Sequence, residues 1–148
     1  MGFRSDMGNF LSSDDGFSGY LISNDDDKKE VVDFDALELI IDGSYCCIRL
    51  GLEHRPGPKN ELTLKVEPLQ LTPGMTYQLG PKPCPVQVTF ACEGYLESLP
   101  SDYSGSMTID QISKTDDKTV LGGSFSIYFT APNQEDMELR CTRFQIRE

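Results

Sequence analysis

The sequence holds a single histidine, His54, and that scarcity removes most nucleophilic chemistry, because Ser-His-Asp and Cys-His centres need an imidazole held against the nucleophile. His54 lies in His54-Arg55-Pro56-Gly57-Pro58-Lys59-Asn60, whose prolines and glycine read as an exposed connector. No Gly-x-Ser-x-Gly elbow occurs, and no glycine-rich phosphate loop ends in Lys-Ser or Lys-Thr. Cys46, Cys47, Cys84, Cys92 and Cys141 include no C-x-x-C pair, so a zinc ribbon or thioredoxin-type site has no support. The expectation is a protein that is not an enzyme and carries no cofactor.

Basic residues are also few. Thirteen Lys and Arg face 24 Asp and Glu, a formal charge of −11. Nucleic-acid binding rests on Lys and Arg displacing counterions, so that class is disfavoured, and an anionic membrane surface is disfavoured for the same reason. No run approaches the ~18 apolar residues of a membrane helix. The first twenty residues contain no apolar signal-peptide core, since Asp6, Asp14 and Asp15 interrupt them, so a cytoplasmic location is expected for the chain as written. Buried free thiols fit a reducing compartment, while a Cys84–Cys92 bridge is the alternative for an exported chain.

Helical periodicity is missing too. A helical turn competes with a strand only at Val31 to Ile41, and elsewhere apolar residues recur with period two. Leu37, Leu39 and Ile41 share one face, Asp42-Gly43 signals a turn, and Cys46, Ile48, Leu50 and Leu52 share a face of the next strand. Leu62, Leu64 and Val66 follow, and Thr72-Pro73-Gly74-Met75 has type II turn chemistry, Pro at i+1 and Gly at i+2. Pro81, Pro83 and Pro85 impose an extended connector, after which Val86, Val88, Phe90 and Cys92 form another inward set.

Met107 and Ile109 have one parity and Ile112 the other, which a bulge near Asp110-Gln111 reconciles. Leu121, Gly123, Phe125, Ile127 and Phe129 give the cleanest alternation. Between Cys141 and Phe144 parity changes again, which predicts a second bulge at Thr142-Arg143. With 38% hydrophobic residues and a length in the range of about 100–200 expected of one domain, the chain can bury a core without metal or disulfide support. We expect a flexible acidic arm over residues 1–16 and one all-β domain over residues 17–148, an antiparallel β-sandwich or flattened β-barrel of about eight strands.

Gly74-Met75-Thr76-Tyr77-Gln78-Leu79, Gly105-Ser106-Met107-Thr108-Ile109, Leu121-Gly122-Gly123-Ser124-Phe125-Ser126-Ile127 and Cys141-Thr142-Arg143-Phe144 together resemble an uncharacterised β-sandwich module of small bacterial lipoproteins. The resemblance spans about residues 36–148 and implies a fold rather than an activity. As written, the sequence shows no export signal or lipid-bearing cysteine of that pattern, so a surface-anchored role is not expected.

The acids are unevenly placed: residues 1–42 carry 11 of them against three bases. A field of this sign attracts a basic partner and speeds its encounter. Asp14, Asp15, Asp25, Asp26, Asp27, Asp33 and Asp35 are therefore candidate steering residues, with Tyr95 and Tyr103 of a long loop as candidate contact aromatics; Tyr20, Tyr45 and Tyr128 have outward parity. Solubility alone accounts for such charge equally well. Asn24-Asp25-Asp26-Asp27 and Asp33-x-Asp35 offer hard oxygens, but the ligand order of an EF-hand is absent, so no metal site is expected.

The leading expectation is a binding protein that occludes a basic protein partner, such as an immunity protein neutralising a bacterial toxin. The alternatives are a barrel carrying a small apolar ligand, lined by Phe90, Phe125, Phe129 and Phe144, and an envelope-associated structural module. An ordinary core would contain the same four phenylalanines.

Overall fold

The computed structural model describes residues 16–23, 29–42, 45–52, 60–67, 71–93 and 96–148, with backbone alone over 16–37 and at 45, 52 and 115. Nine strands make up its regular structure: β1 (Gly16–Ser23), β2 (Lys29–Asp42), β3 (Tyr45–Leu52), β4 (Glu61–Val66), β5 (Thr76–Leu79), β6 (Val86–Phe90), β7 (Ser104–Thr115), β8 (Lys118–Thr130) and β9 (Asp136–Arg147). No helix occurs among the described residues.

Alternation sets the inner wall. In β4, Leu62, Leu64 and Val66 are buried while Lys65 is exposed, as a pleat with period two requires. Register then aligns inward residues of neighbouring strands into rows. Ile48 stands opposite Leu64, and Leu64 opposite Val88, so one layer of the core runs across β3, β4 and β6. A slip of one residue would turn each of these rows outward, which fixes the register strongly. Val31 to Ile41 lies within the strand β2, which has β1 on one side and β3 on the other.

The sheet order is β1-β2-β3-β4-β6-β5-β7-β8-β9, and β1 pairs with β9 as well as with β2, so one curled sheet closes into a barrel. Of the two expected architectures, the curled sheet replaces the sandwich of stacked layers. The sheet is also mixed rather than wholly antiparallel, because β5 meets β6 in parallel through Leu79 and Val86. The Pro81–Pro85 connector is not extended as expected: the Cys84 amide bonds the Pro81 carbonyl at 3.0 Å, a turn after which the chain re-enters the sheet beside the end of β5. Residues 1–15 of the expected N-terminal arm lie outside the described residues, and Gly16 opens β1.

Three bulges bend the long strands, at Leu37 in β2, Asp110 in β7 and Thr142 in β9. The last keeps Leu139 and Cys141 on the inside together with Phe144 and Ile146, despite their opposite parity. Gly105 and Gly123 sit in the β7–β8 pairing where the neighbouring backbone leaves no room for a side chain. A Cβ on Gly105 would collide with the carbonyl of Ser126, and one on Gly123 with the carbonyl of Thr108. The β7–β8 hairpin turns at Asp116 and Asp117, with φ of 54° and 64°, the left-handed pair that a two-residue turn needs between twisted strands.

Inside, Phe125 and Phe144 approach with ring centroids 5.9 Å apart, and Phe90 meets Phe129 edge-on at 6.5 Å. Such pairs contribute about 0.5–1.5 kcal/mol beyond their buried area. The four phenylalanines considered as a ligand lining are all buried, and they pack on one another.

Candidate functional site

The outer wall carries the polar chemistry. On β3, Arg49 projects outward between neighbouring strands; its guanidinium donates to Glu38 Oε1 at 2.8 Å and to Glu61 at 3.1 and 3.3 Å. These hydrogen bonds, to Glu38 first, raise the Arg49 pKa beyond its ordinary value. On β9, Arg140 donates to both carboxylate oxygens of Glu138, at 2.8 and 3.0 Å. The i, i+2 spacing places the pair on one strand face. Both arginines are thus committed to carboxylates within the sheet.

A different arrangement forms at one end of the barrel. Register brings the start of β7, the end of β8 and the start of β9 together: Ser104 stands opposite Tyr128, and Thr130 opposite Asp136. Asp102, Ser104, Tyr128, Phe129, Thr130, Asp136 and Met137 surround an open cleft of about 220 Å³ there. Asp136 Oδ1 accepts a hydrogen bond from Thr130 Oγ1 at 3.4 Å. Tyr128 is 43% exposed, one of two large hydrophobic residues exposed among the described residues. An exposed aromatic ring and two exposed carboxylates lining one cleft suit a side chain that is both cationic and partly apolar, as arginine and lysine are.

The sequence-based candidates fare differently. Asp14, Asp15, Asp25, Asp26, Asp27 and Tyr95 lie outside the described residues, as does His54. Asp33 and Asp35 belong to β2, opposite Ser18 and Gly51. Tyr103 is not at the surface. It is buried, and its hydroxyl accepts a hydrogen bond from the Val88 amide at 3.0 Å. Loop residues have no parity, so its inward direction left no trace in the sequence. Outward parity did single out Tyr128. Asp102 and Asp136 escaped notice because only the pairing of β7, β8 and β9 joins them; the signal available was that these three strand ends meet at the same end of a meander.

Cys46 and Cys141 are buried thiols, and Cys46 and Cys47 alternate in burial as neighbours on a strand must. Burial, and secondly the adjacent Cys47, pushes the Cys46 thiol up to about 12. Cys141 is raised as well, by burial against the opposing hydrogen bond of the Arg143 backbone. Both are therefore neutral and poorly nucleophilic at neutral pH. Among the described residues no group of three or more His, Cys, Asp or Glu is placed to hold a metal ion, and no helix is long and apolar enough to cross a membrane. Compared with protein-family models, with curated proteins and with solved structures, the chain matches none.

Proposed function

We propose that this protein is a non-enzymatic binding module that docks a basic protein partner through the Tyr128 cleft and occludes it, as an immunity protein or inhibitor occludes a toxin. One observation carries the reading: Tyr128 stands exposed in a cleft that also holds Asp102 and Asp136. Tyrosine is favoured at interface centres because it brings a large contact area with little entropy to lose. The flanking carboxylates would select a cation over a neutral or anionic side chain. The charge of −11 supplies the longer-range attraction, with Asp33 and Asp35 contributing from β2.

The experiment is a nuclear magnetic resonance titration of the labelled full chain with a hexa-arginine peptide at low salt. Perturbations should centre on Asp102, Ser104, Tyr128, Thr130 and Asp136, and should fade as salt rises to roughly 0.5 M, where screening becomes short-ranged. Perturbations confined to residues 1–35, or indifferent to salt, would contradict the reading.

A further inference from the structure

The wall of the barrel is uneven. Neighbouring strands share four or more residue pairs at every joint but one, and β5 and β6 share a single pair, Leu79 with Val86. The Gly80 amide donates to the Val86 carbonyl at 2.9 Å, and there the ladder ends. The connector beyond Gly80 cannot extend it, because Pro81, Pro83 and Pro85 have no amide hydrogen to give.

β6 continues past this point to Phe90, so its outer edge needs another cover. That cover is the segment from Leu96 to Tyr103. Leu96 and Tyr103 are buried, Leu99 is packed against the core, and Tyr103 takes the Val88 amide on its side-chain hydroxyl. Two hydrogen bonds of 2.8 Å join Leu96 to Cys92, and the Tyr103 amide turns back on Pro100 at 3.2 Å. The segment is therefore joined to the chain just past β6 by the Leu96–Cys92 bridge and to Val88 of β6 by the Tyr103 hydroxyl, where the long joints of the wall rest on backbone ladders. Between its buried ends Glu97, Ser98, Ser101 and Asp102 are exposed, and segments with few buried apolar contacts open at lower free energy than the rest of a fold.

We propose that Leu96–Tyr103 is a releasable strap, which lifts from β6 as a unit and uncovers a strand edge while the β7–β8–β9 wall stays paired. An uncovered edge is a template for an added strand, so the strap acts as a built-in guard over that edge. Tyr103 is its latch. Asp102 belongs both to the strap and to the lining of the Tyr128 cleft, but the strap is argued from the β6 edge and the Tyr103 hydroxyl and does not depend on the docking reading.

Native-state hydrogen exchange of the full chain tests it. In the wild type the Val88 amide should exchange faster than those of Phe125 and Ile127, with a weaker dependence on denaturant, the mark of a local opening. Tyr103→Phe removes only the latch hydroxyl, and should speed exchange at Val88 roughly fivefold to tenfold relative to Phe125 and Ile127. Leu96→Ala should loosen the same set. Equal rates and equal denaturant dependence at Val88 and in β8 would overturn the strap, as would a Tyr103→Phe variant that accelerates every amide alike.

Discussion

Glu138 is 4% exposed although it stands on the outer side of β9, and Arg140 two residues on closes over both of its carboxylate oxygens. Without Arg140 the Glu138 carboxylate would lose both of these hydrogen bonds while staying out of water, and leaving a buried polar group unpaired is costly. Removing Arg140 should therefore hurt more than removing both. We expect Arg140→Met to destabilise by about 1–3 kcal/mol, below the figure for fully buried pairs because Arg140 itself is half-exposed. The double variant Glu138→Leu/Arg140→Met should recover part of that loss. Urea denaturation of the two single variants and the double gives the coupling directly.

At Gly105 and Gly123 an added Cβ would run into the backbone of the paired strand. Gly123→Val should destabilise by roughly 2–4 kcal/mol, since the new side chain meets backbone that cannot step aside. Gly74 is the internal contrast. Its φ of +87° favours glycine, but nothing lies within 4 Å of an added Cβ, so Gly74→Ala should lose only about 1 kcal/mol. Thermal unfolding of the three proteins should rank them wild type, Gly74→Ala, Gly123→Val.

The two buried thiols predict the alkaline limit of stability. Their folded pKa values lie above those of an unfolded thiol, so the folded state holds its protons longer. Stability from this source is complete below about pH 8.5 and falls as pH rises toward 12, by up to about 1.4 kcal/mol per pH unit for each thiol. The denaturation midpoint should drop between pH 8 and pH 10.5, each taken as an approximate bound of that window. A Cys46→Ala/Cys141→Ala protein, less stable at neutral pH, should show a flatter decline. Ellman's reagent should modify Cys46 and Cys141 only after unfolding.

Tyr128→Ala should separate binding from folding. With 43% of the residue exposed, its loss should change stability by about 1 kcal/mol or less, within the range of ordinary surface changes. Affinity for a basic partner should fall tenfold or more, the order expected of an interface anchor, as read by calorimetry against the hexa-arginine peptide.

Much of the wall was legible before any coordinates. Leu62, Leu64 and Val66 alternate because one face of the sheet is wet, and that is a local property of the sequence. Parity breaks at Ile112 and at Phe144 located two bulges correctly, since an extra residue is what restores an inward direction. Thr72-Pro73-Gly74-Met75 turns as its chemistry dictates, with the Met75 amide bonded to the Thr72 carbonyl at 3.2 Å.

Closure was not legible. Nothing within β1 or β9 says that they pair, and nothing within β5 says that it lies between β6 and β7, because strand order is decided by contacts between distant segments. The cleft follows from that order, so its acids could not be grouped beforehand. Tyr103, read as a surface aromatic, is turned inward, where its hydroxyl takes the Val88 amide.

The whole account rests on side chains filling the barrel, which leaves the outside as the working surface. Mass spectrometry of the purified full chain under native conditions tests this most directly. The account predicts the bare polypeptide mass of 16.5 kDa, with no small molecule retained. A co-purifying lipid or other apolar ligand, released only on denaturation, would contradict it.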